Sequence, residues 1–389
     1  MKNLIFWGTF CAVPVLLMTA ALGRGGTTAG DVSPTTGQYK LLDPITHGDL
    51  TIFPVVAAKS HDTSEFLTLD EGIRSGEVVV TEVGNLHGTM HRRRPNQQYF
   101  PGAQVNTLVL VNNSKRPLIL LAGEVVTGGK QDRLVGKDRI VPAESDPIDL
   151  SVFCVEHGRW VETSTKFDTH ASVMAQPSVR KKAMVDADQQ KVWDEVATAR
   201  TGMAMKVAPA APPKVGGGGG SGNDGGVSGG LYSAQAVRDL NGTTSYAKSV
   251  ENSAVKQQMD AVTAPMQKSY ESVIKQLRNQ DAVGVVVAVK GHIVWADIFA
   301  SSSLLSKYWP KLLQSYAAES LTASGSSSEV TMKDAQRFLE NWQARHEIVD
   351  SEPGLYRQRE LVGDRFRAFE LTSLLARANF DVHLSKMAD

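Results

Sequence analysis

Short apolar runs separated by turn-forming residues fill the chain from Tyr39 to Trp160. Runs of this length, bounded by Gly, Pro, Asn and Ser, are typical of β-strands. The predicted strands are residues 50–57, 77–83, 105–112, 118–126 and 148–156. Their regular spacing indicates a sandwich or barrel-like sheet. The turn N-N-S-K-R-P allows the third and fourth strands to pair as a hairpin.

Beyond this region the apolar residues recur every three or four positions, which is the helical repeat. The repeat predicts helices over 179–200 and 255–277, and Pro265 should kink the second helix. Ser302 is expected to cap a further helix, whose apolar stripe includes Leu305 and Tyr316. Residues 331–345 form the last predicted helix, and 355–384 are expected to be short strands with a helical piece at 371–378.

Residues 283–289 are almost all valine and should form a strand that turns into a second strand at 292–299. A strand buried on both faces lies inside a sheet, and one hairpin alone cannot cover it. We therefore expect the valine strand to join strands from before the Gly-rich segment. The predicted fold class is α+β, with a β-rich N-terminal half completed by a helix–hairpin–helix half.

Composition changes divide the chain further. Residues 24–38 are interpreted as a flexible lead, 207–231 as a Pro/Gly-rich linker inserted in one composite domain, and 321–330 as a shorter linker. The halves of the composite domain are then 39–206 and 232–320, with a C-terminal α/β extension at 331–389.

The N-terminus predicts export. Lys2 precedes an apolar run that ends in small residues before Gly23, which is the pattern of a signal peptide over 1–23. We expect a periplasmic or secreted protein; an uncleaved N-terminal anchor is the alternative. Cleavage removes Cys11 and leaves Cys154 as the single cysteine, so no intramolecular disulfide can form.

The formal net charge is zero, so nothing in the overall charge attracts nucleic acid. A local basic cluster at 91–94 is interpreted as a solvated loop, with a phosphate contact as the alternative.

Polar residues concentrate between Gly123 and Trp160, in a region otherwise patterned like a core. Two glycines, Gly128 and Gly129, permit positive φ and close approach by a partner group. Arg and Lys side chains beside them suit a phosphate or carboxylate. The predicted ligand-binding residues are Lys130, Gln131, Asp132, Arg133 and Arg159.

The catalytic candidates are Glu124, Glu156 and His157. Either carboxylate could act as a general base, with metal assistance through His157, or Glu124 could form a structural pair with Lys130 or Arg133. Cys154 is interpreted as a small buried hydrophobe. A nucleophilic Cys154 would need a nearby histidine, which His157 or His170 could supply. The histidines at 292, 346 and 383 are interpreted as ordinary and partly buried.

Four segments carry a resemblance to a known family. They are G-E-V-V-T-G-G-K-Q-D-R, C-V-E-H-G-R-W, V-V-V-A-V-K-G-H-I-V-W-A-D-I-F and L-L-S-K-Y-W-P-K-L-L-Q-S-Y-A. The chain resembles the bacterial ARG and rhodanese-phosphatase-superfamily-associated protein domain family over residues 40–200 and 232–320 and over part of the C-terminus. The family name implies a role near ADP-ribose or related phosphorylated metabolites. The chain departs from the family pattern in three ways. It carries an export signal and a long glycine insert, and it has Asp132 at the position where the family's expected K-Q-N-R motif has Asn.

Three functions follow as expectations. The first is an exported binding or accessory domain for a small anionic ligand, with Glu124 and Glu156 orienting the basic residues. The second is a hydrolase of an ADP-ribose-like or phosphorylated metabolite. The third is a structural or protein-interaction domain whose polar residues lock the sheet. The sequence names no cofactor or metal, and neither nucleic acid nor stable membrane insertion after cleavage is expected.

Overall fold

The computed structural model describes residues 26–27, 39–85, 107–169, 173–208 and 225–389. The predicted signal peptide, the basic cluster at 91–94 and His170 lie outside the described residues, as do most of the predicted lead and residues 209–224 of the predicted linker. No helix within the described ranges is long and apolar enough to cross a membrane.

The strands fall in the order β1 (Gly26–Thr27), β2 (Tyr39–Leu41), β3 (Ile45–His47), β4 (Leu50–Ala57), β5 (Leu67–Thr68), β6 (Val78–Glu82), β7 (Thr107–Asn112), β8 (Leu118–Leu120), β9 (Val125–Gly128), β10 (Arg133–Val135), β11 (Arg139–Val141), β12 (Ile148–Cys154), β13 (Phe167–Asp168), β14 (Asp281–Val289), β15 (His292–Phe299), β16 (His346–Glu352), β17 (Tyr356–Val362), β18 (Phe366–Ser373) and β19 (Asp381–Ala388). The helices are α1 (Leu69–Ser75), α2 (Pro177–Lys181), α3 (Gln189–Val207), α4 (Gly225–Gly242), α5 (Tyr246–Glu251), α6 (Ser253–Ile274), α7 (Ser302–Thr322) and α8 (Met332–Glu340).

The large sheet joins the two ends of the chain. Its order is β1-β16-β17-β18-β19-β15-β14-β4-β2, with β3 also paired to β4. The valine strand β14 lies between β15 and β4, where Val286 pairs with Phe53. The expectation that it joins strands from before the Gly-rich segment is therefore confirmed. The described residues contain both helices and strands in comparable amounts, so the α+β class is also confirmed.

Two smaller sheets form the rest of the N-terminal region, with orders β13-β9-β10-β12-β7-β6 and β11-β8-β5. The predicted hairpin between 105–112 and 118–126 is wrong, because β7 pairs with β6 and β12 while β8 pairs with β11 and β5. Both runs are buried on both faces, so their pattern does not select a partner. The second run is also broken at Gly123, whose φ is 99°.

Helix α7 packs against the large sheet and is central to the main core. Its Tyr308 ring stacks on Phe299 of β15, and its Trp309 ring stacks on Tyr270 of α6. Ser301, one residue before the predicted Ser302, is the N-cap, since its hydroxyl accepts the N–H of Leu304. The helix continues to Thr322, into the predicted second linker.

Other predicted bounds change for local reasons. The predicted helix at 179–200 is divided into α2, a π-helical turn at Lys182–Asp186 and α3, because Ala187 adopts a left-handed φ of 47°. The predicted helix at 331–345 ends at Glu340. No helix forms at 371–378: Leu371 belongs to β18 and pairs with β17 and β19, so tertiary pairing overrides the helical composition.

Two segments that were predicted to be flexible are partly ordered, and one predicted strand is shorter than expected. Residues 225–231 of the predicted linker belong to α4. Gly26–Thr27 of the predicted lead forms β1, which pairs with β16 and is the outermost strand at that end of the large sheet. The strand predicted to reach Glu156 ends at Cys154, because the chain leaves the sheet and Glu156 bridges to Ser245 instead.

Candidate functional site

The loop between β9 and β10 carries most of the predicted ligand-binding residues. Gly128 and Gly129 have φ values of 125° and 48°, as the sequence led us to expect. The group that approaches them is the chain's own segment at 164–167: a Cβ on Gly129 would lie 2.3 Å from the Phe167 ring. The glycine N–H groups also have acceptors, since Gly128 donates to Asp132 and Gly129 to Ser164.

Arg159 holds this loop to the segment that follows β12. Its Nη2 lies 2.6 Å from Glu156 Oε2, and its Nη1 donates to the carbonyl groups of Gly129 and Val161. Burial lowers the pKa of Arg159, but the hydrogen bond and charge of Glu156 outweigh it, so the net shift is upward. Glu156 and Arg159, which the sequence analysis named separately as candidate site residues, therefore form an ion pair that holds the two loops together.

Arg133 is the most deeply buried member of the predicted set, with no solvent exposure. Its Nη1 donates to the carbonyl of Gln131 at 2.7 Å, and its Nη2 lies 3.9 Å from Glu82 Oε1. Burial lowers its pKa below the usual value, although nearby negative charge opposes the shift. Glu82 was not predicted as a site residue; it ends a buried apolar strand and also accepts the N–H of Lys130.

Asp132 connects this cluster to the second half of the chain. Its Oδ2 accepts a 2.6 Å hydrogen bond from the hydroxyl of Ser245, the N-cap of α5. Its backbone N–H donates to Glu156 Oε2. Burial raises the pKa of Asp132, and the nearby charge of Glu156 adds to the rise.

Lys130 and Trp160 lie at the surface of the same loops. The Lys130 ammonium is 5.2 Å from the centroid of the Trp160 ring, a cation–π distance. Trp160 is 44% exposed and the next residue, Val161, is 69% exposed. Together these residues present an aromatic face and a cation side by side. We call Lys130, Trp160 and Val161 the Lys–Trp surface.

Glu124 lies in a different cluster from the arginines. Its Oε1 is 2.6 Å from the Lys311 ammonium, and its Oε2 accepts the N–H of Leu121. Lys311 also contacts Asp70 at 2.8 Å, so one ammonium faces two buried carboxylates. Burial raises the pKa of Glu124 while Lys311 opposes the rise. The predicted structural pairing of Glu124 is thus with Lys311, rather than with Lys130 or Arg133.

His157 and Cys154 do not converge with Glu156 as metal ligands. The exposed His157 ring packs edge-on against Trp193 at 4.4 Å. Cys154 is buried, and its Sγ lies 3.3 Å from the carbonyl of Glu156. Burial raises the thiol pKa, which favours the neutral form. The described residues contain no group of three or more His, Cys, Asp or Glu that could hold a metal ion.

A third cluster lies in the core beside α7. Asp297 accepts hydrogen bonds from both terminal nitrogens of Arg180, at 2.9 and 3.1 Å, and a third from the hydroxyl of Tyr316. His383 bridges Asp297 and Asp138 through its two ring nitrogens. His383 is fully buried, so its interpretation as a partly buried histidine is wrong; the other two histidines, at 292 and 346, are exposed. Burial lowers the pKa of His383, but the two carboxylates raise it overall to about 9.

Residues 38–387 match the ARG and Rhodanese-Phosphatase-superfamily-associated Protein domain. The chain belongs to this family. The match spans both sides of the undescribed segment at 209–224 and includes all three polar clusters. No curated protein and no solved structure matches the chain at a significant level.

All three polar clusters of this family member include residues that sequence reasoning missed, and Glu82 is the example in the first cluster. Asp70 lies in the first turn of α1, a helix that the sequence analysis did not predict, and Lys311 was overlooked inside an apolar helical stripe. Asp297 stands alone in the apolar strand W-A-D-I-F. A charged residue at a position whose neighbours are buried was the signal available in each case, because a buried charge requires a partner.

Proposed function

We propose that this family member binds a small molecule with a flat ring and an anionic group at the Lys–Trp surface. The observation that carries the proposal is the exposed Trp160 ring beside the Lys130 ammonium. An exposed indole offers a stacking face, and an adjacent ammonium attracts a phosphate or carboxylate.

The arginines support this surface from beneath. Arg133 and Arg159 have carbonyl and carboxylate acceptors inside the protein. Arg133 has no solvent exposure, so a ligand at the surface does not reach its guanidinium, and both arginines fix the backbone of the loops that carry Lys130 and Trp160. The predicted ligand-binding set thus divides into one contacting cation, Lys130, and positioning residues beneath it.

The family description supplies a candidate ligand class. It records association with ARG and rhodanese-phosphatase superfamily proteins, which points to phosphorylated metabolites. ADP-ribose combines an adenine ring with phosphates and so meets both requirements of the Lys–Trp surface. Binding, rather than hydrolysis, is favoured because Glu124 and Glu156 are both engaged in buried ion pairs.

The test is calorimetric titration of the mature chain with ADP-ribose, AMP and inorganic phosphate. We expect Trp160→Ala to weaken binding of the ring-bearing ligands by about 1–3 kcal/mol, the usual contribution of a stacked base. Lys130→Ala should weaken the binding of all three ligands. Lys137→Ala is the matched control, since Lys137 is a surface lysine paired with Asp350 elsewhere. Equal binding by the wild type and both site variants would refute the proposal.

Specific contacts also support a structural role for the remaining polar residues. Asp132 and Glu156 link the β9–β10 loop to Ser245, and Glu124 links β9 to α7 through Lys311. We propose that these contacts hold the two halves of the chain in register, which is compatible with a ligand at the surface above them.

Export remains part of the proposal and rests on Lys2 and the apolar run that follows it. N-terminal sequencing of the protein recovered from a bacterial periplasmic fraction tests it. A new N-terminus near Gly23 supports cleavage, whereas an intact N-terminus in the membrane fraction supports the anchor instead.

A further inference from the structure

A cavity of about 300 Å³ lies at one edge of the large sheet. The neighbouring strands β19, β15, β14, β4 and β2 begin or end at this edge. Each of them contributes to the lining, through Asp381, Phe299, Val283, Ala57 and Tyr39 in that order. The volume is that of a site for one small molecule, and none of the lining residues belongs to the Lys–Trp surface.

Two loops that leave this edge complete the walls of the cavity. The loop after β4 carries His61, and the turn between β18 and β19 carries Phe380. The two rings stack, with their centroids 4.3 Å apart and 15° between their planes. The backbone N–H of His61 also donates to the carbonyl of Ala300, which holds the first loop against the sheet. Because Phe299 lines the cavity as well, the body of a ligand meets an aromatic wall.

The lining carries one ammonium group, from Lys59, and one carboxylate, from Asp381. Lys59 has no hydrogen bond or ion pair with any described residue, Asp381 included. Asp381 accepts one hydrogen bond, from the Thr372 hydroxyl to Oδ1 at 2.8 Å, so its Oδ2 is available to a ligand. The charge of Glu370, which acts near Asp381, is opposed by two arginines, of which Arg359 lies at 3.2 Å. The cavity therefore offers one charge of each sign.

Tyr39 adds a hydrogen-bond donor to the lining. Burial, together with the charges of Asp381 and Glu370, raises the pKa of its phenol to about 12. The hydroxyl therefore keeps its proton at neutral pH. It has no hydrogen-bond partner among the residues that the structure describes. A ligand carboxylate at Lys59 thus has a second donor in the same cavity, and charge-assisted hydrogen bonds of this kind are the stronger ones.

We propose that this cavity binds a free amino acid with an aromatic side chain. Its carboxylate pairs with Lys59 and accepts the Tyr39 hydroxyl, and its ammonium donates to Asp381. Its ring packs against Phe299 and Phe380. An acid alone would leave Asp381 unpaired and an amine alone would leave Lys59 unpaired, whereas a zwitterion satisfies both. The cavity shares no residue with the Lys–Trp surface, so the two binding proposals succeed or fail independently.

The test compares three probes that share one phenylalkyl skeleton, by calorimetric titration of the protein at pH 7. L-Phenylalanine carries both charged groups, 3-phenylpropionate only the carboxylate, and phenethylamine only the ammonium. We expect L-phenylalanine to bind about tenfold more tightly than either of the others, since each of them loses one charge-assisted interaction. A single-charge probe that binds as tightly as L-phenylalanine would indicate a peptide terminus or a simple acid or amine. That result, or no binding of L-phenylalanine, would overturn the proposal.

Two substitutions at exposed positions locate the ligand. Lys59→Met should weaken the binding of L-phenylalanine and 3-phenylpropionate about tenfold without weakening that of phenethylamine. Asp381→Asn keeps an acceptor for the Thr372 hydroxyl and should weaken the binding of L-phenylalanine and phenethylamine instead. Lys206→Met, at an exposed lysine of α3, is the matched control and should bind all three probes like the wild type. An unchanged affinity for L-phenylalanine in either folded variant would overturn the assignment.

Discussion

The hydroxyl of Ser245 donates a 2.6 Å hydrogen bond to Oδ2 of Asp132, although the two residues are 113 positions apart. Both residues are buried. The contact joins the β9–β10 loop, which carries Lys130 of the Lys–Trp surface, to the start of α5. Together with the backbone bridge between Glu156 and Ser245, this buried hydrogen bond connects the two halves of the chain.

Ser245→Ala should destabilise the protein measurably. The change removes a donor from a buried carboxylate, which costs about 1.5–3 kcal/mol, and also removes the N-cap of α5, which costs about 1 kcal/mol. Thermal or urea unfolding measures the loss. Ser320→Ala is the matched control, since this buried serine donates only to a neutral carbonyl of its own helix. Equal losses for the two serines would show that the bond to Asp132 contributes little.

Asp297→Asn should be more damaging than any surface change. The carboxylate faces the buried Arg180 and His383, and neutralising it leaves these groups without their shared anion. Breaking a buried ion pair in this way typically costs about 3–5 kcal/mol. The midpoint of urea unfolding gives the measurement. By comparison, Lys137→Met breaks an exposed pair and should change stability by about 1 kcal/mol or less. A similar small loss for Asp297→Asn would contradict the assigned network.

How far the sequence predicts this fold depends on the kind of contact. The valine strand was placed correctly because a run buried on both faces needs neighbours on both sides, and β4 and β15 provide them. The partner of β8 was misjudged because several buried strands have interchangeable patterns. The helix predicted at 371–378 failed for a related reason, since pairing with β17 and β19 overrides its composition.

The contacts of the candidate site were predictable in part. The sequence selected the segment that carries Lys130, Glu156 and Arg159, because polar density within apolar runs is unusual. It could not distinguish residues exposed at the surface from residues that are buried beneath it, since the sequence does not give the burial of each side chain. It also missed Lys311 as the partner of Glu124, because no local spacing relates residues so far apart.

Stability should fall at alkaline pH through His383. Its folded pKa of about 9 lies above the ordinary value of 6.5. The stabilisation that charged His383 provides is therefore complete below about pH 6.5 and is lost as the pH rises through about 9. We expect the melting temperature of the wild type to fall over this window relative to that of His383→Gln.

The difference between these two proteins isolates His383. Burial lowers the pKa of Lys386 to about 7, which acts with the opposite sign but is common to both. His346→Gln is the control, because His346 is an exposed histidine outside the buried network. Parallel profiles for the wild type and His383→Gln would mean that His383 does not gain its proton affinity from Asp138 and Asp297.

The Lys311 cluster gives a test by rescue. Lys311→Met leaves Asp70 and Glu124 buried without their ammonium, and we expect a loss of about 3–5 kcal/mol. Adding Glu124→Gln to this variant removes one of the unpaired charges and should recover part of the loss, measured by urea unfolding as a double-mutant cycle.

A catalytic Glu124 makes a different prediction for the same variants. If Glu124 were a general base, Glu124→Gln would lower turnover. The loss of stability in Lys311→Met would then not depend on the charge of Glu124. Recovery of stability in Lys311→Met/Glu124→Gln therefore supports the structural role, because only a carboxylate whose charge depends on Lys311 improves the fold when that charge is removed. A double variant as unstable as the sum of the two single changes would show that Glu124 and Lys311 act independently.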